Sequence, residues 1–341
     1  VTQLEPAENP VKRDTEKPDS PAPRGKKRGF PVDLRLAGLF GVLVLIIIIG
    51  YITRSDVFLT ESNISTVLRQ AAAIGVVSVG MTFVIISGGI DLSVGSMVGL
   101  ASVWATTLAT QAYGPWVMVI TALAVGLGAG LVNGILIAYG RMVPFIATLA
   151  MYIAASGLAE RISGRQTQVV RDQDFLSFFL GDFLGIPTLI WIFAAVVAIG
   201  WVVLNRTTFG RRTFAVGGNA EATRLAGINV KRHTAMVYAV AGLCCGLAAL
   251  MVAARTNSGS STHGLLYELD AIAAVVIGGT LLTGGRGTMI GTLIGVLIFT
   301  LLTNIFILNN LETDIQKIAK GAIIVIAVLL QFRANRARST T

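Results

Sequence analysis

The chain has 341 residues, 54% of them hydrophobic and 13% charged, with a mean hydropathy of +0.74. An apolar fraction above that of ordinary soluble domains places the chain in lipid rather than in water. The net charge of +9 and pI near 9.9 do not argue for nucleic acid, because the basic residues sit in loops and tails flanking apolar runs, where topology and anionic lipid account for them.

Residues 1–35 hold six of the nine prolines, Pro6, Pro10, Pro18, Pro21, Pro23 and Pro31, with mixed charge and almost no apolar run. Such a segment cannot bury a core and predicts a disordered cytoplasmic tail. The first apolar run, Leu36 to Thr53, follows the basic patch Arg24, Lys26, Lys27, Arg28 without a small-residue cleavage site, so it reads as a retained anchor.

Further apolar runs close to the length that crosses about 30 Å of hydrocarbon occur at 70–87, 92–110, 116–138, 145–160, 187–204, 235–254, 270–284, 289–308 and 317–332, giving ten predicted spans in all. The chain is therefore expected to be an all-α polytopic membrane bundle spanning 36–332, followed by a basic C-terminal tail at 333–341. Runs 145–160 and 270–284 are short enough to be tilted, broken or re-entrant. The lack of strong alternation excludes an outer-membrane β-barrel. Pro115, Pro144 and Pro187 each fall at the start of a span, where a missing backbone N–H costs nothing.

With the N-terminus inside, nineteen of the 27 basic residues face the cytoplasm and both chain ends are cytoplasmic, as the positive-inside rule requires. The expected location is the bacterial inner membrane, crossed many times.

No phosphate-binding loop occurs: the only Gly-Lys pair, Gly25-Lys26, lacks the upstream glycine and the following hydroxyl. His233 and His263 fall in loops on opposite sides of the membrane, and Cys244 and Cys245 lie together in an apolar span without ligand partners. No catalytic residue, cofactor or metal is expected, and any ATP must bind another chain.

The densest signal is Ile86-Ser87-Gly88-Gly89-Ile90-Asp91-Leu92-Ser93-Val94-Gly95-Ser96, a glycine-rich turn that carries an acid near membrane depth. Two readings apply to Asp91: a cap on the following helix, or a contact for solute. A similar pattern follows 196 residues later, where Thr283-Gly284-Gly285, Gly291-Thr292 and Gly295 match Ser87-Gly88-Gly89, Gly95-Ser96 and Gly99. The chain thus shows a probable internal repeat, with Gly284 and Gly285 as the repeat turn.

The longest inside loop, 205–234, contains Asn219-Ala220-Glu221-Ala222-Thr223-Arg224-Leu225-Ala226-Gly227-Ile228. This reads as an Asn cap, a short helix with an early acid, and a glycine stop. It is either a docking element for a partner or a solvated connector. The polar loop 255–269 outside either meets a solute donor or faces water. Ser87, Ser93, Ser96, Asn133 and Asn304 are the in-span polar residues suited to a neutral, hydroxyl-rich solute, and they serve equally well as glue between helices.

These stretches resemble a family. Ser87 to Ser96, Ala215-Val216-Gly217-Gly218-Asn219-Ala220-Glu221-Ala222, Leu225-Ala226-Gly227-Ile228 and the run from Tyr267 to Thr280 are similar to ribose-type ABC permeases of bacterial binding-protein-dependent sugar importers. The resemblance covers roughly 36–332 and leaves out the proline-rich tail. It implies a permease domain at 36–332 that works as a homodimer or a heterodimer, a cytoplasmic ABC ATPase, and an extracytoplasmic sugar-binding protein. The cargo it implies is a ribose-like pentose, a hexose or a polyol; Gly88 to Gly95 resembles the sugar branch rather than the branched-chain amino-acid branch. It also implies that Asn219, Glu221, Ala222, Arg224 and Gly227 form the segment that couples to the ATPase.

The rival is an ion-coupled secondary transporter, which needs a site for its ion inside the membrane. Asp91, Glu160, Glu268 and Asp270 are expected at span edges, leaving the mid-membrane nearly uncharged and favouring an external ATPase. A pore stripe for a channel, or a nucleophile with its base for a membrane enzyme, is not evident.

Overall fold

A computed structural model describes residues 34–339 of the chain. The tail expected at 1–35 lies outside the described residues except for Leu34 and Arg35, which open α1 (Leu34–Thr53).

Each of the ten apolar runs falls on a helix. α2 (Glu61–Ile86) is the central one: every residue from Ala71 to Ile86 is buried, as expected of a helix apolar on all sides. α3 (Val94–Ala105) has 12 residues and is followed by the single turn α4 (Leu108–Gln111). α5 (Pro115–Ala138) and α6 (Pro144–Ser163) both begin on the prolines that marked their starts. A longer connection follows, with β1 (Gln168–Val169), α7 (Gln173–Leu180) and the hairpin β2 (Asp182–Phe183) and β3 (Ile186–Pro187), leading into α8 (Thr188–Arg206).

The 205–234 connection holds two helices rather than the one expected, α9 (Thr208–Gly218) and α10 (Ala220–Leu225), before α11 (Val230–Arg255). After β4 (Ser258–Gly259) come α12 (Tyr267–Ile277), α13 (Met289–Leu308) and α14 (Thr313–Ser339). α14 continues through 333–339, where a separate tail was expected.

Among the described residues, seven helices are long and apolar enough to cross a membrane: α1 from Leu36, α2, α5, α6, α8, α11 and α13. Run 145–160, expected to be short, is a full 20-residue helix. The opposite holds for 92–110, expected to cross, because α3 covers only roughly 18 Å of the ~30 Å required. With 11 residues, α12 is also half-length, as the short run 270–284 suggested.

Loop 256–266 completes the path that α12 leaves unfinished. It does not simply face water as an outer loop: β4 pairs antiparallel with β1, and Gly259 packs against Thr106 at the end of α3. The Ser261 and His263 carbonyls then lie against Gly99, and Gly264 meets Gly95 in the first turn of α3. The loop thus descends the length of α3 and delivers α12 inside the bundle. Glycine permits this because a Cβ at residue 99 would sit 2.8 Å from the Ser261 carbonyl oxygen.

Helix contacts elsewhere also rest on small residues. Gly126, Gly130 and Gly134 form one stripe of α5 against Gly242, Tyr238 and Ala235 of α11, backbone on backbone. The Thr82 and Thr292 hydroxyls join α2 to α13 at 2.8 Å, and Asn63 and Asn304 exchange amide hydrogen bonds of 3.1 and 2.8 Å across the same pair. Outward faces of α1, α5, α6 and α8 expose Phe40, Ile120, Ile153 and Ile199, an apolar surface suited to lipid.

Gly126→Leu should destabilise the bundle by about 1–3 kcal/mol through overpacking against Gly242. Gly128→Leu, where a side chain meets open space, should leave the melting temperature in detergent unchanged, and thermal unfolding of the two variants checks the contrast.

Candidate functional site

The signature turn begins where α2 stops. Ser87 caps α2, its hydroxyl donating to the Val84 carbonyl at 2.8 Å, and Gly88 takes a φ of +86°, which glycine adopts without strain. Gly89 lies under the Tyr238 ring of α11, where a side chain would collide with the phenol oxygen.

Asp91 is fully buried, and its Oδ1 accepts from the Ser93 N–H at 2.8 Å and the Ser93 hydroxyl at 2.6 Å. Asn133 of α5 donates to the Ser93 Oγ at 2.8 Å, giving a line Asn133–Ser93–Asp91. Asp91 thus braces the turn that leads into α3: its Oδ1 reaches the N–H of Ser93, the residue that precedes the helix, and not the N–H groups of α3 that a helix cap would take. Asp91 Oδ2 and Asn133 Oδ1 are buried without a partner of ordinary geometry among the described residues.

The other pathway candidates are placed differently. Ser96 donates to the Ser93 carbonyl at 2.9 Å and stays within its own turn. Asn304, paired with Asn63 near the start of α2, lies at the opposite end of that helix from Ser87 and acts between helices.

The repeat turn meets the signature turn directly. Gly285 donates its N–H to the Ile86 carbonyl at 2.8 Å, and Gly284, at φ +83°, faces the Gly88 Cα. Between them sits the end of α9. A side chain on Gly217 would collide with the Ile86 carbonyl and lie 2.6 Å from the Gly285 nitrogen, and one on Gly285 would lie 3.0 Å from the Gly218 Cα. Three Gly-Gly pairs, 88–89, 217–218 and 284–285, are therefore stacked with no side chain between them.

The 217–218 pair runs straight into α10. Asn219 accepts from the Ala222 N–H at 2.9 Å, and Glu221 pairs with Arg224, whose hydrogen bond of 3.0 Å holds the Glu221 carboxyl below the usual carboxylate range. Gly227, at φ +83°, closes the helix: its N–H donates to the Arg224 carbonyl and that of Ile228 to the Thr223 carbonyl. The cap, early acid and glycine stop stand where the sequence placed them. Glu221, Ala222, Arg224 and Leu225 are exposed, so α10 presents its outer face to solvent or a partner.

The expectation of acids only at span edges is corrected. Asp91, Glu268 and Asp270 are buried, because α3 and α12 are half-length and their first turns lie side by side inside the bundle, with Glu268 against Gly95. Asp270 is neutralised by Lys320 of α14 at 3.2 Å, with side-chain exposures of 11% and 22%. Sequence reasoning quoted Gly217 and Gly218 only within the resemblance and gave them no role, and it missed Tyr238 and this ion pair. The recurrence of Gly-Gly was the available signal for the first two.

The chain is similar to known proteins over most of its length. The family model described as branched-chain amino acid transport system / permease component matches residues 63–328. Ribose import permease protein RbsC of Bacillus subtilis (strain 168) is 43% identical over 302 residues, covering 87% of this chain and 92% of its own length. Its counterpart from Escherichia coli (strain K12) is 41% identical over 296 residues, 86% and 92% of the two chains. Galactose/methyl galactoside import permease protein MglC of Escherichia coli (strain K12) is 36% identical over 329 residues, 89% and 96%. No solved structure matches the chain.

Lys320→Met should cost about 3–5 kcal/mol by leaving Asp270 buried and unpaired. Adding Asp270→Leu should recover most of that loss, and a double-mutant cycle in thermal or denaturant unfolding reads the difference.

Proposed function

The chain belongs to the sugar ABC importer permease family, and from that premise we propose that it carries a ribose-like pentose, a hexose or a polyol through a pathway worked by the glycine-pair junction. It is a multi-pass membrane protein and the transport component of its importer. The single observation that carries the mechanism is Gly217–Gly218, seated between the two turns and continuous with exposed α10.

In this reading α10 faces the cytoplasm and fits a groove of a separate ATPase, which binds the ATP. Closure of the ATPase moves α10, α9 follows as its rigid neighbour, and the 217–218 backbone displaces the ends of α2 and of the 278–288 loop. The tight stacking supports this, since packed backbone transmits displacement where flexible side chains would absorb it. An extracytoplasmic binding protein supplies the sugar on the side of β1 and β4, and a second permease chain, a copy of this one, completes the pathway. Both termini are cytoplasmic.

A neutral sugar needs hydrogen-bonding partners without fixed charge, and the relatives named above import ribose and galactose. The buried Asp91, Ser93 and Asn133 hold the turn in the conformation seen, and the two spare acceptor atoms are suited to hydroxyl donors once the turn moves. The rival ion-coupled carrier loses its main support in the Asp270–Lys320 pair, which neutralises an interior acid without an ion.

The decisive experiment is reconstitution in liposomes with a cognate ATPase and binding protein, following ATP hydrolysis and labelled sugar uptake together. Uptake that stops without ATP supports the reading, and uptake that follows an imposed ion gradient overturns it. Gly217→Ala should reduce uptake at least about tenfold (~1.4 kcal/mol of coupling), while Gly218→Ala, which meets open space, should retain it. Glu221→Lys should weaken co-purification of the ATPase while membrane insertion stays intact; full ATPase coupling in that variant would remove α10 from the docking role.

A further inference from the structure

Two cavities meet on the α10 side of the bundle. The first, about 500 Å³, is walled by apolar side chains of α2, α5, α8, α9 and α11. Ile199, Met236 and Leu243 on its walls are 63, 45 and 40% exposed, so it opens sideways between membrane-spanning helices. The second, about 450 Å³, lies between α9 and the start of α11 and holds Arg212, Arg232 and His233. Phe209 and Met236 line both, so the polar cavity caps the apolar one.

Neither arginine is committed elsewhere. Among the described residues no ion pair or side-chain hydrogen bond engages the Arg212 or Arg232 guanidinium, and Glu221 of α10 is held by Arg224. His233 spends its Nε2 on Thr213 at 3.0 Å and packs on the Phe209 ring at 4.7 Å, which leaves the two guanidiniums as the cations of the cavity.

We propose that the joined cavities form a binding site for an anionic phospholipid, with the phosphodiester headgroup held by Arg212 and Arg232 and an acyl chain lying in the apolar crevice. The argument is complementarity of both halves. Planar guanidiniums suit phosphate oxygens, and a basic pocket between spans at the membrane surface is where lipid headgroups bind. A soluble phosphate would leave the crevice between α8 and α11 uncovered, and an uncharged lipid would leave two arginines unanswered. The site also touches the proposed coupling path: α9 carries Phe209 and Arg212 and ends at Gly217–Gly218, while Gly227 and Ile228, just past α10, line the polar cavity. A bound lipid would brace α9 and the α10 connection from the membrane side.

The test uses the intact chain in detergent with defined lipids, reading retained adducts by native mass spectrometry. Phosphatidylglycerol should be retained in preference to phosphatidylcholine, and Arg212→Gln with Arg232→Gln should lose roughly thirtyfold in its affinity. Leu243→Trp, which fills the crevice, should weaken phosphatidylglycerol while leaving any binding of inorganic phosphate unchanged. Equal retention of the two lipids, or unchanged affinity in the arginine double variant, overturns the proposal. So does efficient disulfide linkage of two chains through Leu243→Cys, which would give the crevice to a second copy. Should the double variant fail to fold, competition between the two lipids on the unaltered chain decides the same question.

Discussion

Backbone groups removed from water must find partners inside the protein, and this requirement governs the interior of the bundle. A full helix meets it by itself, but two half-helices and three turns cannot. Their polar groups are met by each other: the Gly285 N–H donates to the Ile86 carbonyl, and the strand pair β1–β4 anchors the descending loop. Such contacts need backbones closer than any side chain allows, so glycine stands at 217, 284 and 285 on one side and at 95, 99 and 264 along α3.

The same half-helices explain the interior charge. An acid in the first turn of a helix is favoured by the exposed N–H groups there, and α3 and α12 begin inside the bundle, not at its surface. Glu268 and Asp270 are therefore carried inward by the geometry of their helix, and Lys320 from α14 balances Asp270. An acid inside a membrane protein commonly marks an ion pathway, but here Asp270 is paired with Lys320 and the turn acid Asp91 is tied to Ser93. Family membership is the ground for the proposal that the drive comes from a separate ATPase.

Position along the bundle separates rigid from exposed parts. The core is locked by the glycine stripe between α5 and α11 and by hydroxyl and amide pairs between α2 and α13, whereas α10 stands out with its ends sealed by Asn219 and Gly227. A short, well-capped helix on a stacked glycine hinge is suited to being moved as a unit. The paired cavities are lined by Phe209 of α9, the helix that leads into α10, so the proposed lipid contact and the proposed partner docking would bear on one hinge.

Periodicity and composition alone determined that the chain is an all-helical membrane protein. They also located every helix that fills an apolar run, the caps of α10 and the prolines that open α5 and α6. These features are local: an apolar run of about 20 residues, an Asn cap or an N-terminal proline has the same meaning wherever the chain folds. The half-length of α3, the inward course of 256–266 and the burial of Asp91, Glu268 and Asp270 were decided only in three dimensions. Run 92–110 reads as a span because its residues are apolar, and nothing local reveals that loop 256–266 occupies the space beside it. The stacking of Gly217 between Ile86 and Gly285 likewise joins residues 131 and 68 positions apart in the chain, a contact that arises only when the ends of α2 and α9 and the loop between α12 and α13 are packed together.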